Sequence, residues 1–399
     1  MIRPIPAFIV APDWCARVVS PAYDALTSRQ RRDFMVEHPD SYLHVTRSLE
    51  DDQRGERTPA EIAESNAEHL RDLLRRGAFV EHPPAIYLYR MTTGNHVQTA
   101  IVADIPLTAL DDGVIRPHEG TRTDREDQLV LHLRTVGATS SPVAMAYRDD
   151  PDLAVVIDDV VASAPMLDFA GAGGLHQQVW CLDDAVAERL IETFGTERPL
   201  YVTDGHHRLA AAIRYRDEIE YGSAGSADSS HHYVMCALFA ASELRTLAFH
   251  RMVVSDMTAD ELAIAVADVA TLTAASAPDL LAIEPGGIGV YLRGEWFALE
   301  PHAHAGDKAD VTWLQDEVLG PVLGIVSPRT DRRLDHITAA AGVDALTGLC
   351  DERCAIGFLL HPTPVDALIV ATDAGEMMPP KSTFFSPKPR SGVFLRFRR

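Results

Sequence analysis

The chain has 399 residues, 46% of them hydrophobic and 24% charged, which suits a globular protein and is too long for one typical core, so two or three subdomains are expected. Its 36 Lys+Arg against 58 Asp+Glu give a formal charge of −22. That balance argues against nucleic acid or an anionic membrane as partner, and an anionic ligand needs a local basic pocket.

Thr27 to His38 reads as a polar helix opened by Thr27 or Ser28, and Pro59 to Arg76 as a longer one carrying Ile62, Ala63, Leu70, Leu73 and Leu74, with Gly77 as its stop. Ala85 to Met91 and His96 to Ile105 pair as strands around a Thr92-Thr-Gly-Asn turn. Leu153 to Ala164 fits helix or strand. The glycines from Phe169 to Gly174 lack a dinucleotide fingerprint and read as a turn or linker. Val179 to Leu182 is the next strand, Asp184 to Phe194 a helix, and Pro199 to Thr203 a short strand followed by a helix from Leu209. Gly222 to Ser230 reads as a flexible loop ahead of a strand from Tyr233 to Ala241.

Further on, the pattern predicts a capped helix from Ala259 to Ala270, a hairpin from Gly287 to Leu299 around Arg293-Gly294, and a helix from Asp310 to Leu319. Strands follow at Ala355 to Leu360 and Ala367 to Ala371. A proline-rich close over 379–389, with Lys381, Lys388 and Arg390 as its cations, is expected to cross the surface. No apolar run approaches the roughly 20 residues that span a bilayer. The first residues, broken by Pro4 and Pro6, make a poor signal peptide. Cysteines at 15, 181, 236, 350 and 354 lack a paired metal spacing and suit reduced thiols, so a cytoplasmic location is expected.

The densest chemistry lies at Tyr201 to Arg208, Tyr-Val-Thr-Asp-Gly-His-His-Arg, where a strand gives way to a helix. Gly205 and the free N–H groups of the helix start favour an anion such as phosphate. His206, His207 and Arg208 can donate to its oxygens, Arg208 bidentately. The plainer account is an N-cap at Asp204, a turn at Gly205 and a surface ion pair at Arg208. Against it, no helix start requires three such side chains at its positive end. A zinc site at His206 and His207 is disfavoured, because adjacent histidines on a tight turn diverge and no helical His pair completes it.

Asp204 to Arg208 resembles the Asp-Gly-His-His-Arg element of the domain of unknown function 1015 family, and further landmarks occur in order. They are Ser20-Pro-Ala-Tyr-Asp24, Tyr42 to Arg47, Ile115-Arg-Pro-His118-Glu119-Gly-Thr121-Arg122, Phe249-His250-Arg251, and Lys381 to Lys388. Two departures stand out: Gln128 replaces a family cation in Arg125-Glu-Asp-Gln, and Ala22 replaces a proline. The family's loop is in turn similar to that of the ParB/sulfiredoxin superfamily, which includes free-serine kinases. The resemblance implies an α+β, mixed-sheet, multi-subdomain protein. Its parts are an N-terminal α/β subdomain at 1–112, a ParB/sulfiredoxin-like nucleotide-binding core at 113–255, and a C-terminal α+β subdomain at 256–399.

By that resemblance the expected activity is phosphate transfer from ATP or ADP, with Mg²⁺, to the hydroxyl of free serine or a similar metabolite. Glu119 is the expected general base, with Asp204 or Asp24 as alternatives, and His206 a further catalytic group. Gly205, His206, His207 and Arg208 hold phosphate, aided by His118, Thr121, Arg122, His250, Arg251 and Lys381, and Asp204 is the expected Mg²⁺ ligand. Read without the resemblance, His118-Glu119 is a solvated polar turn after Pro117, His250-Arg251 a strand end, and Lys381-Ser-Thr a surface turn. A different class of function, a ParB-type regulator that switches on binding nucleotide, is the alternative.

Overall fold

Strands Tyr87–Thr93, His96–Pro106 and Tyr233–Ala240 are buried over most of their length because both faces of their sheet are covered. Ile86, Leu88, Ile101, Ala103, Cys236 and Leu238 point into one core, and Tyr87, Tyr89, Ala100, Val102, Ala237 and Phe239 into another, as a side-chain period of two requires. This eight-stranded sheet runs in the order Ile115–Arg116, Leu200–Asp204, Val143–Tyr147, Tyr233–Ala240, His96–Pro106, Tyr87–Thr93, His176–Cys181, Leu167–Ala170. It is mixed: Leu200–Asp204 is parallel to Ile115–Arg116 and antiparallel to Val143–Tyr147, which is parallel to Tyr233–Ala240. The α+β, mixed-sheet expectation is borne out.

The computed structural model describes residues 1–52, 54–222, 229–276, 286–302 and 309–398. By packing, the chain divides into two units, one of residues 1–117, 121–244 and 387–399, the other of 118–120 and 245–386. Strands from both sides of residue 112 share the eight-stranded sheet of the first unit. One face of that sheet carries helices Pro151–Val161, Asp184–Phe194 and His206–Gly222, which bury Leu153, Val156, Leu190, Phe194, Leu209 and Ala212. Each fully covered Leu or Phe contributes about 1.5–3 kcal/mol by leaving water. On the other face, helix Pro59–Arg75 packs together with strand Ala7–Val10, which pairs antiparallel with Phe79–Glu81 and with Phe394–Phe397 near the C-terminus.

The second unit holds a six-stranded antiparallel sheet ordered Ala270–Ala275, Glu295–Pro301, Ile288–Leu292, Ala355–Leu359, Phe249–Val254, Leu334–Thr338. Helix Val343–Arg353 sets Leu346 and Cys350 against Met252, Tyr291 and Ile337.

The expected hairpin forms around Arg293 and Gly294, both at positive φ. Leu153 to Ala164, open between helix and strand, is helical over Pro151–Val161, where Asp150 caps the first turn. Four expectations are corrected. Ala367 to Ala371 is not a strand but part of helix Val365–Asp373; a short apolar run has no decisive period, and here Leu368, Ile369 and Thr372 share one buried face. The helix from Ala259 ends at Val266, and Ala270–Ala275 is a strand. Asp310–Leu314 is α-helical, but Gln315–Leu319 widens to a π-turn closed by the Gly320 N–H on the Gln315 carbonyl. The proline-rich close is not wholly at the surface: Lys381 is exposed, but Ser382, Phe384, Phe385, Pro387 and Pro389 are buried, and Phe384–Phe385 forms a strand with Thr246–Leu247. The expected loop at Gly222 to Ser230 lies mostly outside the described residues. Among the described residues no helix is long and apolar enough to cross a membrane.

Candidate functional site

In the first unit the strand-to-helix corner is built by a bulge. Val202 pairs with Met145 and Asp204 with Ala144, so Thr203 is an extra residue and the alternation is reset at the last position of the strand. Bulges re-aim side chains in this way, and here the carboxylate of Asp204 is the group re-aimed. Gly205 follows at φ +98, a conformation that L side chains rarely adopt, and a Cβ there would lie 2.9 Å from the Arg208 guanidinium. The helix His206–Gly222 starts at once, with the Leu209 N–H on the Gly205 carbonyl as its first bond, so the N–H groups ahead of it have no partner inside the helix.

Asp204 is the hub. One of its oxygens accepts from Arg208, whose other arm donates to the Pro142 carbonyl at 2.6 Å. The other accepts from the Lys388 ammonium at 2.5 Å, and Lys388 also donates to Asp24. Burial acts to lower the Lys388 pKa, but Asp204 and Asp24 outweigh it and hold the ammonium above its usual range. Two cations and two carboxylates balance in formal charge, so any attraction for an added anion would have to come from the helix start and the imidazoles. With both oxygens of Asp204 engaged by cations, the carboxylate does not fit as a direct Mg²⁺ ligand in this arrangement.

Asp24 is held by its neighbours. The Arg31 guanidinium lies 3.8 Å over the Tyr23 ring and donates to Asp51 at 2.7 Å and to the Leu26 carbonyl at 2.8 Å, while the Tyr23 hydroxyl donates to Asp51 at 2.7 Å. That lattice fixes the turn Tyr23–Ala25 and thereby Asp24.

Thr121 and Arg122 join the same corner. Arg122 is the N-cap of helix Thr123–Val136 and donates its backbone N–H to His207 Nε2 at 3.1 Å, so that nitrogen is an acceptor and Nδ1 is the donor left to the neutral ring. Thr121 donates to Glu126 at 2.5 Å, and Arg214 of helix His206–Gly222 reaches Glu126 at 3.1 Å and Asp127 at 2.6 Å. These contacts clamp the two helices beside the corner. A separate cleft of about 580 Å³ in this unit is lined by Arg32, Arg47, Arg54 and Arg57 with Asp51, Asp52 and Glu56.

The second unit gathers the other candidates. His118 is 1% exposed, with Nε2 3.3 Å from the Thr383 hydroxyl and its carbonyl accepting from the Met378 N–H at 2.9 Å. Burial raises the Glu119 pKa above the usual carboxylate value; the Lys381 charge, the Lys381 backbone N–H that donates to it, Arg329 and Arg251 oppose that rise. Lys381 takes φ +57, the left-handed conformation from which its N–H serves Glu119. Gly120 gives Arg329 its approach, since a Cβ would sit 2.5 Å from the guanidinium.

Arg251, 2% exposed, donates to the carbonyls of Phe249 at 2.9 Å and of Pro380 and Lys381 at 3.0 Å, and burial pulls its pKa to about 9 against the pull of Glu119. It thus holds the turn that presents Lys381. His250 Nδ1 accepts the Leu360 N–H at 3.2 Å, and burial, then Arg251, lowers its pKa to about 4. The candidates from the sequence therefore form two groups: Thr121, Arg122, Asp204, Gly205, His206, His207 and Arg208 in one unit, and His118, Glu119, His250, Arg251 and Lys381 in the other. Lys388 and Arg329 escaped the sequence reading as site residues. Lys388 did stand out as a cation in the close, whereas Arg329 carried no motif.

A family model described as a protein of unknown function, DUF1015, matches residues 2–326. The chain belongs to the DUF1015 family. No curated protein matches it. Among solved structures, it is similar to a free serine kinase, E30Q mutant, in complex with AMP, at TM-score 0.38 and 11% identity, covering 71% of this chain and 87% of that one. SbnI with a C-terminal truncation from Staphylococcus aureus aligns at TM-score 0.41 and 11% identity, over 73% and 85% of the two chains. A conserved hypothetical protein from Pyrococcus furiosus aligns at 0.35 and 12%, over 71% and 90%.

Proposed function

We propose that this DUF1015 protein is a nucleotide-dependent small-molecule kinase that phosphorylates the hydroxyl of free serine or a similar metabolite. The observation that carries the reading is the bulged corner at Asp204 to Arg208, where Gly205 at φ +98 starts a helix beneath two histidines and an arginine. In this reading the helix-start N–H groups, His206, His207 Nδ1 and Arg208 hold the phosphates of ATP or ADP. Lys388 and Arg208 hold Asp204 in place, as Arg31 and Tyr23 hold Asp24.

Glu119 serves as general base, and its raised pKa supports the role, because a carboxyl of higher pKa is a stronger base once ionised. As the substrate hydroxyl oxygen attacks the terminal phosphorus, the new P–O bond forms, the bond to the leaving phosphate oxygen breaks, and the hydroxyl proton passes to Glu119. Mg²⁺ would act by screening the nucleotide's phosphates.

The test is incubation of the purified protein with Mg²⁺, ATP or ADP and a panel of hydroxylated metabolites, read by mass spectrometry. Phosphoserine or a related ester is expected, and Glu119→Gln should lower its rate by about 10²–10⁴-fold, the usual contribution of a positioned base. No phosphorylated product from any acceptor, or an unchanged rate in Glu119→Gln, overturns the proposal.

One observation favours the second reading, a nucleotide-responsive regulator. Arg208 and Lys388 are both engaged by Asp204, so an arriving phosphate can compete for them and loosen a network reaching Asp24 and Pro142. Nucleotide binding that raises the melting temperature without turnover would favour the switch.

A further inference from the structure

Adjacent histidines usually diverge, but His231 and His232, on the short turn Ser230–His232 of the first unit, do not: their ring centroids lie 4.3 Å apart. Glu220, on the last turn of helix His206–Gly222, meets them. One ligand atom from each of Glu220, His231 and His232 lies within 4.8 Å of the other two. His232 Nδ1 is 3.3 Å from a Glu220 oxygen. Two ligands each ~2.0–2.1 Å from a tetrahedral zinc ion are separated by about 3.3 Å, so this pair already spans one edge of such a site.

We propose that Glu220, His231 and His232 bind a divalent transition cation of the zinc class, with a fourth position left to water or a ligand. His231 is only 7% exposed, and its Nε2 is buried with no hydrogen-bond partner among the described residues, while His232 faces Glu220 through Nδ1. Buried polar nitrogens are ordinarily satisfied, so an unpartnered imidazole nitrogen in a cluster with a second imidazole and a carboxylate calls for a ligand. The turn is also pinned: the Ser230 carbonyl accepts from Arg396 at 2.8 Å and the His232 carbonyl from the Leu107 N–H at 2.9 Å. An imidazole pair with one carboxylate is the donor set that suits zinc with an open position, whereas magnesium and calcium prefer oxygen ligands. Arg398 acts on His231 as a nearby positive charge and opposes a cation, which makes the Glu220 carboxylate the indispensable member.

The full chain, stripped with a chelator, dialysed and reloaded with excess Zn²⁺, should retain one equivalent after desalting, and loading with Co²⁺ instead should give the intense visible absorption of a tetrahedral site. Glu220→Gln, at a position whose side chain is 45% exposed and so safe for folding, should weaken Zn²⁺ affinity by about 100-fold or more, since even outer partners of metal ligands are worth 10–100-fold. His232→Ala should do the same, with circular dichroism verifying that each variant is folded. Failure of the parent protein to hold stoichiometric Zn²⁺ overturns the proposal. So does undiminished Zn²⁺ binding in the two variants, which would assign the metal to other residues.

Discussion

Lys388→Met removes the ammonium that joins Asp204 to Asp24 and leaves two carboxylates facing one another. Both oxygens lie within about 2.5 Å of Nζ, so they are at most about 5 Å apart, where like charges repel by about 3 kcal/mol at an effective dielectric of ~20. The Asp24 side chain is 45% exposed and Asp204 13%, so water screens part of this and a loss of about 1–3 kcal/mol is expected. Urea denaturation at pH 7, followed by circular dichroism, measures it. Adding Asp24→Asn to Lys388→Met removes one of the two charges and should recover at least half of the loss, whereas Asp24→Asn in the parent should cost little or destabilise. A Lys388→Met protein within about 0.5 kcal/mol of the parent, or a double variant no more stable than Lys388→Met alone, would refute the bridge as a source of stability.

Gly205→Ala forces a Cβ onto φ +98 and against the Arg208 guanidinium, so a loss of about 2 kcal/mol in urea denaturation is expected, and a change below about 0.5 kcal/mol would count against the strained corner. His250 gives a pH dependence. Its folded pKa of about 4 lies below the unfolded value near 6.5, so its contribution is fully present above pH 6.5 and is lost as pH falls towards 4, about 3 kcal/mol in all. His250→Gln, which keeps an acceptor for the Leu360 N–H, should flatten that part of the stability–pH curve; equal slopes in both proteins between pH 6.5 and 4.5 would contradict it.

What the sequence by itself determined was local: the helix Ser28–Glu37 opened by Thr27, the helix Pro59–Arg75, the hairpin at Arg293-Gly294, the helix at 184–194, and the strand, glycine and helix around Asp204. Capping residues, turn glycines and apolar periodicity act over a few positions, so they are written in neighbouring letters. Where two periods compete over a short apolar run, as in Val365–Asp373, burial decides, and burial is a property of the folded chain. The Phe394–Phe397 strand beside Ala7–Val10, the Lys388 bridge to Asp24 and Asp204, and the meeting of Glu220 with His231 and His232 were tertiary decisions. Lys388 is 184 residues from Asp204 and 364 from Asp24, and no local rule links such positions. Only packing both faces of the eight-stranded sheet brings those side chains within reach, and only there does burial make their charges matter.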